Sequence, residues 1–194
     1  TSMDAPVGRG IGNALEVAEA VEVLGGGGPA DLVEVCLAVA REMLALGGRH
    51  DADPSAALSD GSARAVWDAM VRAQGGDPDA PLPRARHVEH VLAPAGGTVA
   101  RLDARAVGTA AWLLGAGRAR KEDDVSPSAG VRVLVQPGKQ VAAGAAVLEL
   151  HADDPDRLAG GLEALEGSFD VTDVPVATTP LVLARIGPEE VPGA

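Results

Sequence analysis

Tyrosine is absent from this chain, phenylalanine occurs once and tryptophan twice, so aromatics are 2% of its 194 residues. Single-stranded nucleic-acid platforms need several stacking rings, and this composition excludes them. Positive charge is scarce as well: 16 Lys and Arg stand against 28 Asp and Glu, for a net charge of −12 and a pI near 4.6. Phosphate backbones require a positive face, so no nucleic-acid partner is expected. The single cysteine, Cys36, excludes an intramolecular disulfide and cannot form a thiolate zinc site alone. No apolar run approaches the roughly 20 residues that cross a bilayer, so no membrane partner is expected either. The opening Thr1-Ser2-Met3-Asp4-Ala5-Pro6 lacks the zones of a signal peptide, and the expected location is cytoplasmic.

What remains is 46% hydrophobic, drawn mostly from Ala, Val and Leu, and long enough for one large domain or two small ones. Pro6, Gly8, Gly10 and Gly12 mark the first dozen residues as a loop. Asn13 with Glu16 three residues on reads as a capping box, followed by Val17, Val21 and Leu24 at helical spacing. Leu32, Val35, Cys36, Val39, Met43 and Leu46 form the clearest stripe, which places the Cys36 thiol in a core. A short helical piece around Ala56 to Leu58 precedes a third long helix from Ser62, with Val66, Trp67, Met70 and Val71 on one face.

The texture changes after a proline-rich stretch. Thr98 to Leu102 follows a Gly96-Gly97 turn, and a helix carries Val107, Ala110, Ala111 and Leu114 to a stop at Gly115. Val131 to Val135 and Ala145 to Leu150 read as strands around the turn Gln136-Pro137-Gly138-Lys139. A polar helix is expected from about Pro155 to Glu166, and a final strand from Leu181 to Ile186. The division is therefore 1–80, mostly helical, a linker at 81–87, an α+β part at 88–187 and a tail at 188–194.

Self-sufficient chemistry is missing from this pattern. His87 and His90 are three apart, but a metal site would need a third ligand, and surface histidines are the simpler reading. No nucleophile elbow or Walker-type loop occurs, and Gly25 to Gly28 follows a helix instead of a strand, as a plain connection does.

Several blocks, taken in order, carry a resemblance. Met3-Asp4-Ala5-Pro6-Val7-Gly8 through Gly12-Asn13-Ala14-Leu15-Glu16-Val17-Ala18-Glu19-Ala20, then Gly28-Pro29-Ala30-Asp31-Leu32, resembles a block of the thymidine and pyrimidine-nucleoside phosphorylases. Asp60-Gly61-Ser62 with Ala73-Gln74-Gly75-Gly76-Asp77-Pro78 looks like the next block, and Leu92-Ala93-Pro94 with Gly96-Gly97-Thr98-Val99 like the entry to the C-terminal domain. Leu114-Gly115-Ala116-Gly117-Arg118-Ala119-Arg120-Lys121 is similar to a further family segment. The fold this implies is α/β and α+β: the helical C-terminal part of an α/β phosphate-binding domain, then an α/β-hammerhead C-terminal domain.

The implied activity is phosphorolysis of thymidine or another pyrimidine nucleoside to free base and (deoxy)ribose 1-phosphate. Inorganic phosphate and the nucleoside are the implied partners, in a pentosyltransferase that works as a homodimer without an organic cofactor. The family's phosphate loop and base-binding residues belong to its N-terminal half. No catalytic or substrate-binding residue is carried over, and this chain alone is expected to be inactive. Lys121, Arg118 and Arg120 have no partner loop in the sequence. One site does carry over from some family members, a K⁺ or similar cation held by the counterparts of Val7, Gly10 and Glu19: two loop carbonyls and a helix carboxylate. A non-catalytic or split subunit is the alternative. Val135 to Leu148 also resembles biotinyl and lipoyl carriers, but Lys139 sits at an earlier turn than their modified lysine.

Overall fold

A sheet face needs alternating apolar residues, and Val131, Val133, Leu148 and Leu150 supply them on two adjacent strands. In the computed structural model, which describes residues 1–177 and 179–187, all four are buried. The four-stranded sheet runs in the order β1 (Gly10–Gly12), β4 (Gly130–Val133), β6 (Ala146–Ala152) and β2 (His87–Leu92), with every pairing antiparallel. A second, three-stranded sheet has the order β5 (Gln140–Val141), β3 (Gly97–Leu102) and β7 (Phe169–Thr172), also antiparallel.

Helix α5 (Ala104–Ala111) starts at Asp103, whose carboxylate accepts the Ala106 amide at 2.9 Å. Its Val107, Ala110 and Ala111 are buried, and the wide π-type turn Trp112–Ala116 continues the same face through Leu114. Gly115 ends that turn at φ 113, the stop its position predicts. Helix α6 (Leu158–Ala164) packs beside α5, and a side chain at Gly161 would press into Leu114 and Leu150. Small residues here let the two helices approach a core with no large aromatic filler.

The first helices are built differently. Helix α1 (Asn13–Leu24) buries Ala14 and Val23. Helix α2 (Ala30–Leu46) and helix α4 (Ser62–Ala73), joined through the short α3 (Ser55–Ser59), bury no residue completely. The α2 stripe is helical as predicted, yet Leu46 is 89% and Met43 67% exposed, and Cys36 is exposed. Cys36 is thus not a core thiol: periodicity marks an apolar face, while burial requires a neighbour on that face.

Two other expectations are corrected, and one strand goes unforeseen. The glycine-rich opening is not wholly loop, because Gly10–Gly12 pairs with Gly130–Arg132; the partner strand specifies this short strand, not its own composition. His87–Leu92, for which the sequence pattern offered no element, is a full strand along β6, although its two faces are largely exposed. Leu181 to Ile186 is irregular. The Ser2 amide bonds the Leu181 carbonyl at 2.8 Å, and Arg185 reaches Glu42 at 2.8 Å, but Leu183 and Ile186 stay exposed, so no face is buried to hold a strand. The tail at 188–194 lies outside the described residues.

The two kinds of apolar surface separate in a denaturation experiment. Leu150→Ala, at a fully buried site, is expected to cost about 2–5 kcal/mol in urea unfolding of this chain. Met43→Ala should stay within about 0.5 kcal/mol. Similar losses at both positions would show that α2 is packed in solution.

Candidate functional site: an acidic clasp on a glycine loop

The loop from Asp4 to Gly12 runs between the first helices and the sheets, and three carboxylates hold its backbone amides. Glu16 and Glu19 are three apart on α1, so both side chains lie on one face of the helix. Glu16 accepts the Gly12 amide at 2.9 Å. Glu19 Oε1 accepts the Arg9 amide at 2.9 Å and the Gly10 amide at 3.3 Å, and its Oε2 lies 3.1 Å from the Arg9 amide. Asp31, in the first turn of α2, accepts the Gly8 amide through Oδ2 at 2.9 Å. Oxygen acceptors on successive amides stiffen a segment that glycine would otherwise leave loose.

Gly8 makes this possible. It is buried with φ 77, a left-handed conformation, and a Cβ there would occupy the position of Glu19 Oε2. The far side of the loop is held from the α+β part. The Gln136 side-chain amide donates to the Gly8 carbonyl at 3.2 Å and to Asp31 Oδ2 at 2.7 Å. Asp31 Oδ1 is buried without a partner, so the whole bonding capacity of this carboxylate is concentrated on Oδ2. Sequence reading includes Asp31 only as part of a matching block and Gln136 only as a turn residue, with no contact to this loop. No local signal marks Gln136, since its contact spans 105 positions to Asp31.

Asn13 is corrected as a cap. Gly12 occupies that position, and the Asn13 amide instead donates to the Ala116 and Ser126 carbonyls at 3.0 Å each. It thereby fastens α1 to the turn after α5. Ser126 and Ser128 in turn donate to Asp153 Oδ2 at 2.7 and 2.6 Å. Those two hydroxyls, Ser128 foremost, hold the Asp153 carboxyl below the ordinary carboxylate range; Arg86 adds to the effect and partial burial opposes it.

Of the three expected cation ligands, Gly10 and Glu19 line one cleft, together with Glu22, Arg9 and Arg132. Val7 lines a separate cavity with Asp31, Gln136, Arg101 and Asp4. Val133 donates to the Arg9 carbonyl at 2.8 Å, so strand alternation turns the Gly10 amide and carbonyl off the sheet's free edge, on the Glu19 side. Both Glu19 oxygens are taken by the Arg9 and Gly10 amides, Arg9 and Arg132 line the same cleft, and Val7 lies apart from it, so the three residues do not assemble one oxygen site for a K⁺-like ion.

The other singled-out residues do not join this site. Arg118 bonds the Lys121 carbonyl, and the Arg120 amide bonds Asp123, all within one exposed turn. His90 and His151 flank opposite oxygens of Glu149 at 3.5 and 3.3 Å, so His90 is engaged there and not paired with His87. Among the described residues, no group of three or more His, Cys, Asp or Glu is arranged to hold a metal ion.

Gly8→Ala is expected to destabilise this chain by about 1–3 kcal/mol in urea unfolding through backbone strain, with displacement of Glu19 added to it. A change within experimental error would mean that the loop is free to relax. The Asp153 contribution is fully present above the ordinary carboxylate value of 3.8 and is lost as pH falls through its lower folded value. Asp153→Asn should therefore flatten the decline of stability below about pH 4, measured by thermal melts across pH. An unchanged slope would remove this carboxylate from acid unfolding.

Comparison with known proteins places this geometry. Residues 98–171 match the pyrimidine nucleoside phosphorylase C-terminal domain. The chain is 47% identical, over 96% of its length, to a thymidine phosphorylase of Mycobacterium tuberculosis (strain ATCC 25618 / H37Rv), of which it covers 44%. It is 34% identical to a pyrimidine-nucleoside phosphorylase of Staphylococcus haemolyticus (strain JCSC1435), with 96% of the chain and 45% of that protein covered. For a thymidine phosphorylase of Mus musculus the identity is 35%, with 89% and 41% covered. The chain thus spans less than half the length of the curated relatives it matches. Residues 98–171 thus match the family's C-terminal domain, and 96% of the chain is similar to thymidine and pyrimidine-nucleoside phosphorylases, whose C-terminal portion it resembles.

Proposed function

We propose that this chain is part of an enzyme that phosphorolyses thymidine or another pyrimidine nucleoside. A phosphate oxygen attacks C1′ of the sugar as the C1′–N1 bond breaks. The products are (deoxy)ribose 1-phosphate and the free base, which takes up a proton at N1. Catalysis of this kind is mainly positioning of phosphate and stabilisation of charge on the departing base. The observation that carries the reading is the 47% identity to a thymidine phosphorylase across 96% of the chain.

The phosphate loop and base-binding residues are assigned to the remainder of the enzyme, and none of the residues described here touches substrate. The role of this segment is to supply a rigid base. The apolar faces of α2 and α4, with Leu46, Met43, Val66 and Met70 exposed, are suited to receive that remainder. A cytoplasmic homodimer is part of the same proposal. Among the described residues, no helix is long and apolar enough to cross a membrane.

The test is phosphate-dependent release of thymine from thymidine by the full-length enzyme, followed by ultraviolet absorbance. Release that requires inorganic phosphate, and its absence with this chain alone, is the expected result. Release by the full-length enzyme without phosphate would replace phosphorolysis with hydrolysis, and no release at all would favour a non-catalytic role.

A further inference from the structure

Helix α2 is tied to the α+β part of the chain at two points on one side of the helix. At its start, Asp31 Oδ2 accepts from the Gln136 amide at 2.7 Å; further on, Glu42 Oε1 accepts from Arg185 Nε at 2.8 Å. We propose that Arg185 is a positioning residue: with Gln136 it fixes the direction of α2, and so the orientation in which the apolar stripe of α2 meets the remainder of the enzyme. The orientation step rests on the reading above that this stripe receives the remainder.

Helical geometry carries the first part of the argument. Asp31 and Glu42 are close to three full turns apart, so they stand on one face of α2, separated by about 16 Å along its axis. A single polar anchor at the N-terminus leaves the far end free to swing, and a second at that distance sets its direction. Packing does not duplicate this role, because no residue of α2 is fully buried. Val39, Met43 and Leu46 lie about a quarter-turn around the helix from the anchored face, and all three are exposed. The anchors thus hold α2 from the side and leave its apolar stripe clear.

The second part concerns what holds Arg185. The chain after β7 forms no helix or strand among its described residues, yet its course is fixed before it reaches α2. Val176, Thr179 and Leu181 line one cavity with Leu102 of β3 and Pro137. The Ser2 amide donates to the Leu181 carbonyl at 2.8 Å, and the Ala104 amide at the start of α5 donates to the Asp4 carbonyl at 3.0 Å. Arg185 therefore reaches Glu42, 143 positions away, from a strap already seated on the α+β part. Both side chains are exposed, at 69% and 50%, so the tie is weak and reversible. It is suited to steer a helix end, not to build a core.

Hydrogen exchange of the full-length enzyme, followed by mass spectrometry, tests the proposal. Arg185→Glu and Glu42→Arg each replace attraction by repulsion, and the amides of residues 39–46 should exchange about two- to five-fold faster in each. Residues 30–35, held through Asp31, should not change. The double variant restores opposite charges with the partners exchanged, and should return residues 39–46 to the wild-type rate. Should Glu42→Arg disturb folding, Glu42→Gln removes the charge, keeps the shape and carries the same direction. Arg41→Ala is the control. It removes an exposed ion pair to Asp53 at 3.7 Å that stays within the helical part, and is expected to leave this exchange unchanged. Single variants at the wild-type rate, or a double variant no slower than the singles, overturn the role of Arg185, and an equal rise in Arg41→Ala reduces it to general stability. The docking reading is checked separately, by comparing the wild-type enzyme with this chain alone. Equal exchange at Val39, Met43 and Leu46 in both overturns that reading and the orientation step with it, while the charge exchange still decides whether Arg185 tethers α2.

Discussion

The close approach of Glu19 to Gly8 is the constraint on which the acidic clasp depends. A carboxylate oxygen occupies the space where any other residue would carry its Cβ, and the backbone there has a left-handed φ. Only glycine meets both conditions without strain. Once it is in place, the amides of Gly8, Arg9 and Gly10 turn toward Asp31 and Glu19, and the Gly8 carbonyl turns toward Gln136. One conformational permission thus ties α1, α2 and the Gln136 turn between β4 and β5 to a single loop.

Pairing of β1 with β4 serves the same end on a larger scale. It draws the start of α1 onto the edge of a sheet whose other strands all come from the second part of the chain. Asn13 adds a second fastening to the turn after α5, and Ala14 a third through the Pro127 carbonyl at 2.9 Å. The first helices are therefore anchored at one end and apolar along an open face. That is the form of a segment that presents a surface, and it accounts for a main buried cluster drawn from Ala93–Leu165, with only Ala14 and Val23 buried in α1.

Much of this was legible beforehand because it rests on local chemistry. The stop at Gly115, the face of Val107, Ala110, Ala111 and Leu114, and the strand from Val131 each follow from a few neighbouring residues. The family blocks around Gly8 to Glu19 identified the loop, and its carboxylate, before any contact was known. What the sequence concealed were long-range partners. Asn13 resembles a cap to any local rule, yet its amide bonds residues more than a hundred positions away. Cys36 and Leu181 to Ile186 show the complementary error, where apolar patterns predict burial but no facing surface is present.

By itself, then, the sequence determined where most of the helices lie, which faces are apolar, and which family's blocks the loop resembles, since period, turn residues and motif spacing are properties of short stretches. Only the tertiary structure decided which apolar faces become core, that Gly10–Gly12 is a strand, and that Gln136 and Asp31 share the Gly8 peptide. Burial and hydrogen bonding belong to pairs of groups, and the chain's path, not its local spelling, brings those pairs together.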